Sequence, residues 1–95
     1  VIVMRTINQR FKSLGFQVGI ASQVFVRDLS PRTSLVVEGK REKGYSTYRY
    51  AFYKITYYPK GSHEKVYMEN ASPKRVLQRV TSFIYFLEGV ESWKN

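Results

Sequence analysis

The sequence predicts an α+β domain. A single antiparallel sheet of about four strands is flanked by an N-terminal and a C-terminal helix, in the order α-β-β-β-β-α, with both helices packed on one face. Three observations lead there. Apolar residues recur at helical spacing near both ends, while the middle alternates aromatic and β-branched residues with polar ones. Turn signals punctuate that middle at Ser30-Pro31, Gly44 and Pro59-Lys60-Gly61. One sheet covered on one side is the natural two-layer way to bury such a pattern. At 95 residues, without internal repeat, linker or low-complexity segment, residues 1–95 read as a single domain.

Residues 1–14 are predicted to be the first helix. Val3, Ile7, Phe11 and Leu14 share one face with Met4 beside them, and Gly15 stands where a left-handed cap would stop the helix. A rival boundary is written in Thr6 and Gln9, a Thr-x-x-Gln capping box that would start a shorter helix after a strand over Val1–Arg5. Phe16, Val18 and Ile20 alternate, and the pattern resumes at Val24 and Val26, with Gly19 and Ala21-Ser22 marking a bulge or bend between the pieces. Ser34–Lys40 forms the next strand around Leu35, Val36 and Val37.

The long run from Lys40 to Tyr58 dominates the sheet. Glu42-Lys43-Gly44 supplies a hairpin turn within it, and a tyrosine-rich strand follows. Alternation sends Tyr48, Tyr50, Phe52, Lys54, Thr56 and Tyr58 to one face and Arg49, Ala51, Tyr53, Ile55 and Tyr57 to the other. After the Pro59–Ser62 turn, which also holds His63, a short strand spans Glu64–Glu69, with Val66 and Met68 opposite Lys65 and Tyr67. The last helix begins with Ser72 as N-cap and Pro73 as first helical residue. Val76, Leu77, Val80, Phe83, Ile84 and Leu87 form its apolar stripe, and Gly89 is predicted to end it. Burying that stripe contributes on the order of 10 kcal/mol before chain entropy is counted. The tail Val90–Asn95 is polar apart from Trp93, a candidate plug or dimer contact.

Composition narrows the function. The 43% apolar fraction argues against disorder. Without cysteine there is no disulfide, no thiol chemistry and no thiolate metal site. No apolar run reaches the length of a membrane span, and Val1–Met4 is too short for the core of a secretory signal. The expectation is a soluble intracellular protein, cytoplasmic or virus-associated. Sixteen Lys and Arg against seven Asp and Glu give a formal charge of +9, an excess that draws polyanions.

Catalytic patterns are nearly absent. There is no Gly-rich phosphate loop, no His-x-x-x-His and no nucleophile elbow, and His63 is the sole histidine. Six glutamates and one aspartate leave a small metal-dependent nuclease as a minority reading, but Glu38, Glu42, Glu64 and Glu69 are scattered and read as charge partners of neighbouring cations. No cofactor and no metal site is predicted.

Three nucleic-acid folds bear comparison. Lys43-Gly44-Tyr45-Ser46-Thr47-Tyr48-Arg49-Tyr50 resembles the central strand of the RNA recognition motif at Lys43, Gly44, Tyr45 and Tyr50. It departs at Ser46 and at Thr47, where that family places a stacking aromatic, and the order of elements differs. The helix-sheet-helix order is similar to that of double-stranded-RNA-binding domains, yet Pro73-Lys74-Arg75-Val76-Leu77-Gln78-Arg79 shares only basic character with their final helix. The entry to the last helix, Tyr67–Pro73, is similar in layout to single-strand DNA-binding domains of the transcriptional-coactivator and Whirly type, without a diagnostic motif. None of these likenesses assigns the chain to a family.

The leading reading is a small, basic, noncatalytic domain that binds DNA or RNA through an aromatic and basic sheet face. Arg41, Lys43, Arg49 and Lys54 would neutralise phosphates, while Tyr45, Tyr48 and Tyr50 stack on bases; Arg75 and Arg79 would add a phosphate-contacting ridge. Ordinary sheet packing is the competing explanation for the tyrosines. The alternative is a protein-interaction or assembly module, a homodimer or a component of a virion or complex, motivated by Tyr85, Phe86 and Trp93 outside the helix stripe.

Overall fold

A computed structural model of the protein describes the backbone of residues 2–94 and the side chains of residues 7–89. Its elements run α1 (Ile2–Ser13), β1 (Gln17–Ile20), β2 (Val24–Ser30), β3 (Thr33–Lys40), β4 (Arg49–Tyr58), β5 (Gly61–Ala71) and α2 (Pro73–Lys94). The strands form one antiparallel meander in the order β1-β2-β3-β4-β5, and both helices cover the same face. This is the predicted α+β architecture with five strands rather than about four.

Each boundary has a local cause. Gly15 adopts φ +88°, and Phe16 N–H donates to the Phe11 carbonyl at 3.0 Å, the six-to-one bond of a Schellman cap that closes α1. Ser72 Oγ accepts from Arg75 N–H at 3.2 Å, capping α2 as its position before Pro73 predicts. The core lies between the layers: Phe11, Phe25, Leu35, Val37, Phe52, Val76, Val80 and Ile84 are fully enclosed. Phe11 stacks on Phe25 at 4.4 Å, fixing α1 over β2, and Phe83 meets Phe52 edge-on at 5.5 Å, fixing α2 over β4.

Several boundaries differ from the sequence reading. Between β1 and β2 the chain turns fully: Gln23 N–H reaches the Ile20 carbonyl at 2.9 Å, and Ser22 takes φ 64°. A tight turn thus replaces the predicted bend, which creates the fifth strand. Residues 41–48 form a loop, so the long tyrosine run becomes a strand only from Arg49. β5 exceeds its predicted span at both ends, and His63 pairs with Thr56 inside it instead of sitting in the turn. A register shift between Tyr53↔Val66 and Phe52↔Met68 leaves Tyr67 as an extra residue, so Tyr67 and Met68 both pack toward the helices while Val66 faces away. Gly89 does not stop α2, which continues to Lys94; a glycine in right-handed conformation weakens a helix without breaking it. Leu87, placed on the buried stripe by spacing, is 42% exposed, one turn beyond Ile84, the last enclosed residue of α2 among the described residues. α1 begins at Ile2, before the rival capping box. The side chains of Val3, Met4, Thr6 and Trp93, to which roles were also assigned, lie outside the described residues.

Candidate nucleic-acid interface

Register determines which charges share a surface, because residues paired across antiparallel strands point to the same side. Buried Phe25, Leu35, Val37, Tyr50 and Phe52 define the helix side of the sheet. The opposite, open side therefore carries Val24, Val26 and Asp28 of β2, Ser34, Val36, Glu38 and Lys40 of β3, Arg49, Ala51, Tyr53 and Ile55 of β4, and Glu64 and Val66 of β5. Its middle row, Val26–Val36–Tyr53–Val66, is apolar, and three carboxylates flank it. The open face is thus of mixed charge, with the cross-strand cations Lys40 and Arg49 at one end, and is not the uniformly basic wall expected from composition.

More cations lie away from that face. On the helix side, Lys54 and Lys65 are direct cross-strand partners. Lys65 Nζ lies 5.7 Å from the centre of the Tyr67 ring, and the Arg79 guanidinium stands over the same ring at 5.6 Å and over Phe83 at 5.9 Å. Arg75 is exposed one helical turn before Arg79. No carboxylate forms an ion pair with them among the described residues. Among the described residues one ion pair forms, Arg27 Nη2 to Glu88 Oε2 at 2.6 Å, and it lies at the far end of α2.

A second group spans the β3–β4 loop and the first residue of β4, next to the C-terminal end of β5. The Arg49 guanidinium sits 4.1 Å from the centre of Tyr45, and Arg41 sits 5.1 Å from Tyr48. Arg49 is fixed by donating through Nε to Asn70 Oδ1 at 3.0 Å and through Nη2 to the Asn70 carbonyl at 2.6 Å. Tyr45 is 49% exposed. Lys43 is exposed at the loop tip beside Gly44, whose φ of +91° shapes the turn closed by Tyr45 N–H on the Glu42 carbonyl. Lys40, Glu42, Arg49, Glu69 and Asn70 line a mixed-charge pocket of about 390 Å³ nearby.

The nine residues singled out from sequence are therefore divided. Arg41, Lys43, Tyr45 and Tyr48 lie in the loop, with Arg49 beside them at the start of β4; Lys54, Arg75 and Arg79 belong to the helix-side group. Tyr50 must be withdrawn as a base-stacking residue. It is 2% exposed, its hydroxyl donates to the Ser22 carbonyl, and burial pushes its pKa up to about 12. Sequence reasoning missed Lys65, Tyr67 and Phe83 as parts of the cluster. The bulge that turns Tyr67 inward has no glycine or other marker, so only the packing of Phe83 against it could reveal the position.

Over 87 residues the chain is 61% identical to the uncharacterized protein YddA of Bacillus subtilis strain 168, a match that covers 90% of this chain and 85% of YddA. The chain belongs to the YddA family. No protein-family model and no solved structure matches it. Among the described residues, no group of three or more His, Asp or Glu side chains is placed to hold a metal ion, and no helix is long and apolar enough to cross a membrane.

Proposed function

We propose that the chain is a small noncatalytic nucleic-acid-binding domain that grips the phosphate backbone along the side formed by α2 and β5. The observation that carries this reading is the grouping of Lys65 and Arg79 over Tyr67 with Lys54 paired to Lys65 across the strands, none of them in an ion pair among the described residues. Holding like charges together on one surface is unfavourable, and a polyanion relieves that cost while releasing its own counterions. Stacking on tyrosine leaves the edges of a guanidinium free, so Arg79 keeps donors for phosphate oxygens. On the open sheet face Asp28, Glu38 and Glu64 offset Lys40 and Arg49, so the helix-side cations are the stronger draw for the same ligand.

Oligonucleotide titrations at about 50 and 200 mM salt test the reading. Affinity should fall steeply across that range, and the Lys65→Ala and Arg79→Ala variants should each weaken binding and flatten the salt dependence by about one phosphate contact. Binding that ignores salt, or the lack of any affinity at low salt, would refute it.

A second reading, an assembly module, is favoured by a different observation: the apolar row Val26–Val36–Tyr53–Val66 on the open side of the sheet, with Val66 48% exposed. Light scattering at high concentration tests it. A dimer that Val36→Lys converts to monomer supports this reading, and a monomer throughout removes it.

A further inference from the structure

We infer that the ligand is a single strand, and that Tyr45 is the platform on which one unpaired base stacks. The inference rests on the nucleic-acid reading above and adds to it the class of strand and the residue that selects it.

The geometry of the loop carries the argument. Tyr45 has one ring face backed by the Arg49 guanidinium at 4.1 Å, and no other ring or cation stands against it among the described residues. Being 49% exposed, it presents its remaining face to solvent. Arg49 does not wander, because both of its hydrogen bonds go to Asn70 at the end of β5. The backbone of Tyr45 is fixed in the turn by its N–H on the Glu42 carbonyl at 3.2 Å. An exposed aromatic side chain normally samples several rotamers in water and loses that freedom on binding. Here the guanidinium already covers one face of the ring, so a base meeting its open face completes a base–Tyr45–Arg49 stack.

Such a platform distinguishes strands by accessibility. In a duplex, base faces are occupied by neighbouring bases, and a protein ring can reach only edges and backbone. An unpaired base offers its whole π-face, and stacking is indifferent to its identity. Arg41 over Tyr48 gives the same loop a second braced ring, but Tyr48 is half-buried and packed edge-on to Tyr50, so it supports the loop instead of receiving a base. The helix-side cations would serve either form of nucleic acid; Tyr45 alone discriminates between them.

Fluorescence anisotropy with labelled oligo-dT and with the corresponding duplex tests this on the whole chain. The wild-type protein should prefer the single strand. Tyr45→Ala should lower single-strand affinity about tenfold and leave duplex affinity unchanged, whereas Tyr45→Phe keeps the preference. In Tyr45→Trp, the added indole fluorescence should be quenched by oligo-dT and not by the duplex. If Tyr45→Ala weakens both forms equally or neither, or if the indole is not quenched, the platform is wrong while salt-dependent binding keeps the parent reading. If the wild-type chain binds neither form at low salt, both fall together.

Discussion

The hydroxyl of Tyr50, in the middle of the sheet, donates to the backbone carbonyl of Ser22 in the turn between β1 and β2. The same turn is held from the helix layer, where Ser22 N–H donates to Asn8 Oδ1 at 2.8 Å. One buried turn with positive φ is therefore satisfied from α1 on one side and β4 on the other. Tyr50→Phe keeps the ring and removes the donor, leaving a buried carbonyl unpaired. The variant should lose about 1–3 kcal/mol of stability with the denaturant slope unchanged, read as a lower midpoint in urea.

Gly39 allows Tyr50 to lie where it does. A Cβ at Gly39 would fall 2.6 Å from Tyr50 Cε1 and 2.9 Å from Cδ1, closer than real contacts permit. The ring cannot retreat, since it is buried and tied to Ser22. Gly39→Ala should therefore destabilise the fold by about 1–3 kcal/mol despite alanine's better strand propensity. A thermal melt no lower than that of the wild type would show that the ring can move.

Stability should fall at alkaline pH for an identifiable reason. Burial, helped by Tyr48, pushes Tyr50 up to about 12; burial, then Glu38 and Glu64, pushes Tyr53 up to about 12 as well. In the unfolded chain both would ionise near pH 10. Below that pH their contribution is complete; between pH 10 and about 12 the unfolded state sheds protons that the folded state retains, and stability drops. For enclosed Tyr50 the loss amounts to about 2 kcal/mol across the window. Urea midpoints measured through this range should decline less steeply in Tyr50→Phe and in Tyr53→Phe than in the wild type.

Lys65→Glu should act in opposite directions on fold and ligand. It converts the like-charged Lys54–Lys65 pair into an attractive one, worth about 0.2–1 kcal/mol in the folded sheet. It also places a carboxylate inside the cationic cluster, so oligonucleotide affinity should fall. A variant that is both more stable and a weaker binder would mark the cluster as retained for binding and not for folding. Affinity that rose or stayed constant would contradict the phosphate-contact role.

Where the sequence could be read, the signal was local. Ser72-Pro73 marks the start of α2, and the spacing of Val76, Val80 and Ile84 marks its buried face, because capping and helical period act within a few residues. Gly15 stops α1 for the same kind of reason. Gly89 carried the same residue type and misled, since a glycine ends a helix only where the chain turns left-handed, and nothing nearby requires that. The tyrosines were the hard case. Tyr45, Tyr48 and Tyr50 look alike in sequence, yet one is half-exposed, one packs edge-on to its neighbour and one is sealed in the core.

Alternation and capping determined, from the sequence alone, an antiparallel sheet between two helices and a strongly basic surface somewhere upon it. Tertiary structure decided where that charge went. The bulge in β5 turned Tyr67 toward Phe83 and Arg79, cross-strand register set Lys65 beside Lys54, and the same register sent Asp28, Glu38 and Glu64 to the opposite face. The physical reason is that a strand's period assigns each side chain to one of two faces, but only the pairing of strands and the seating of helices decide which face is covered and which neighbours share it.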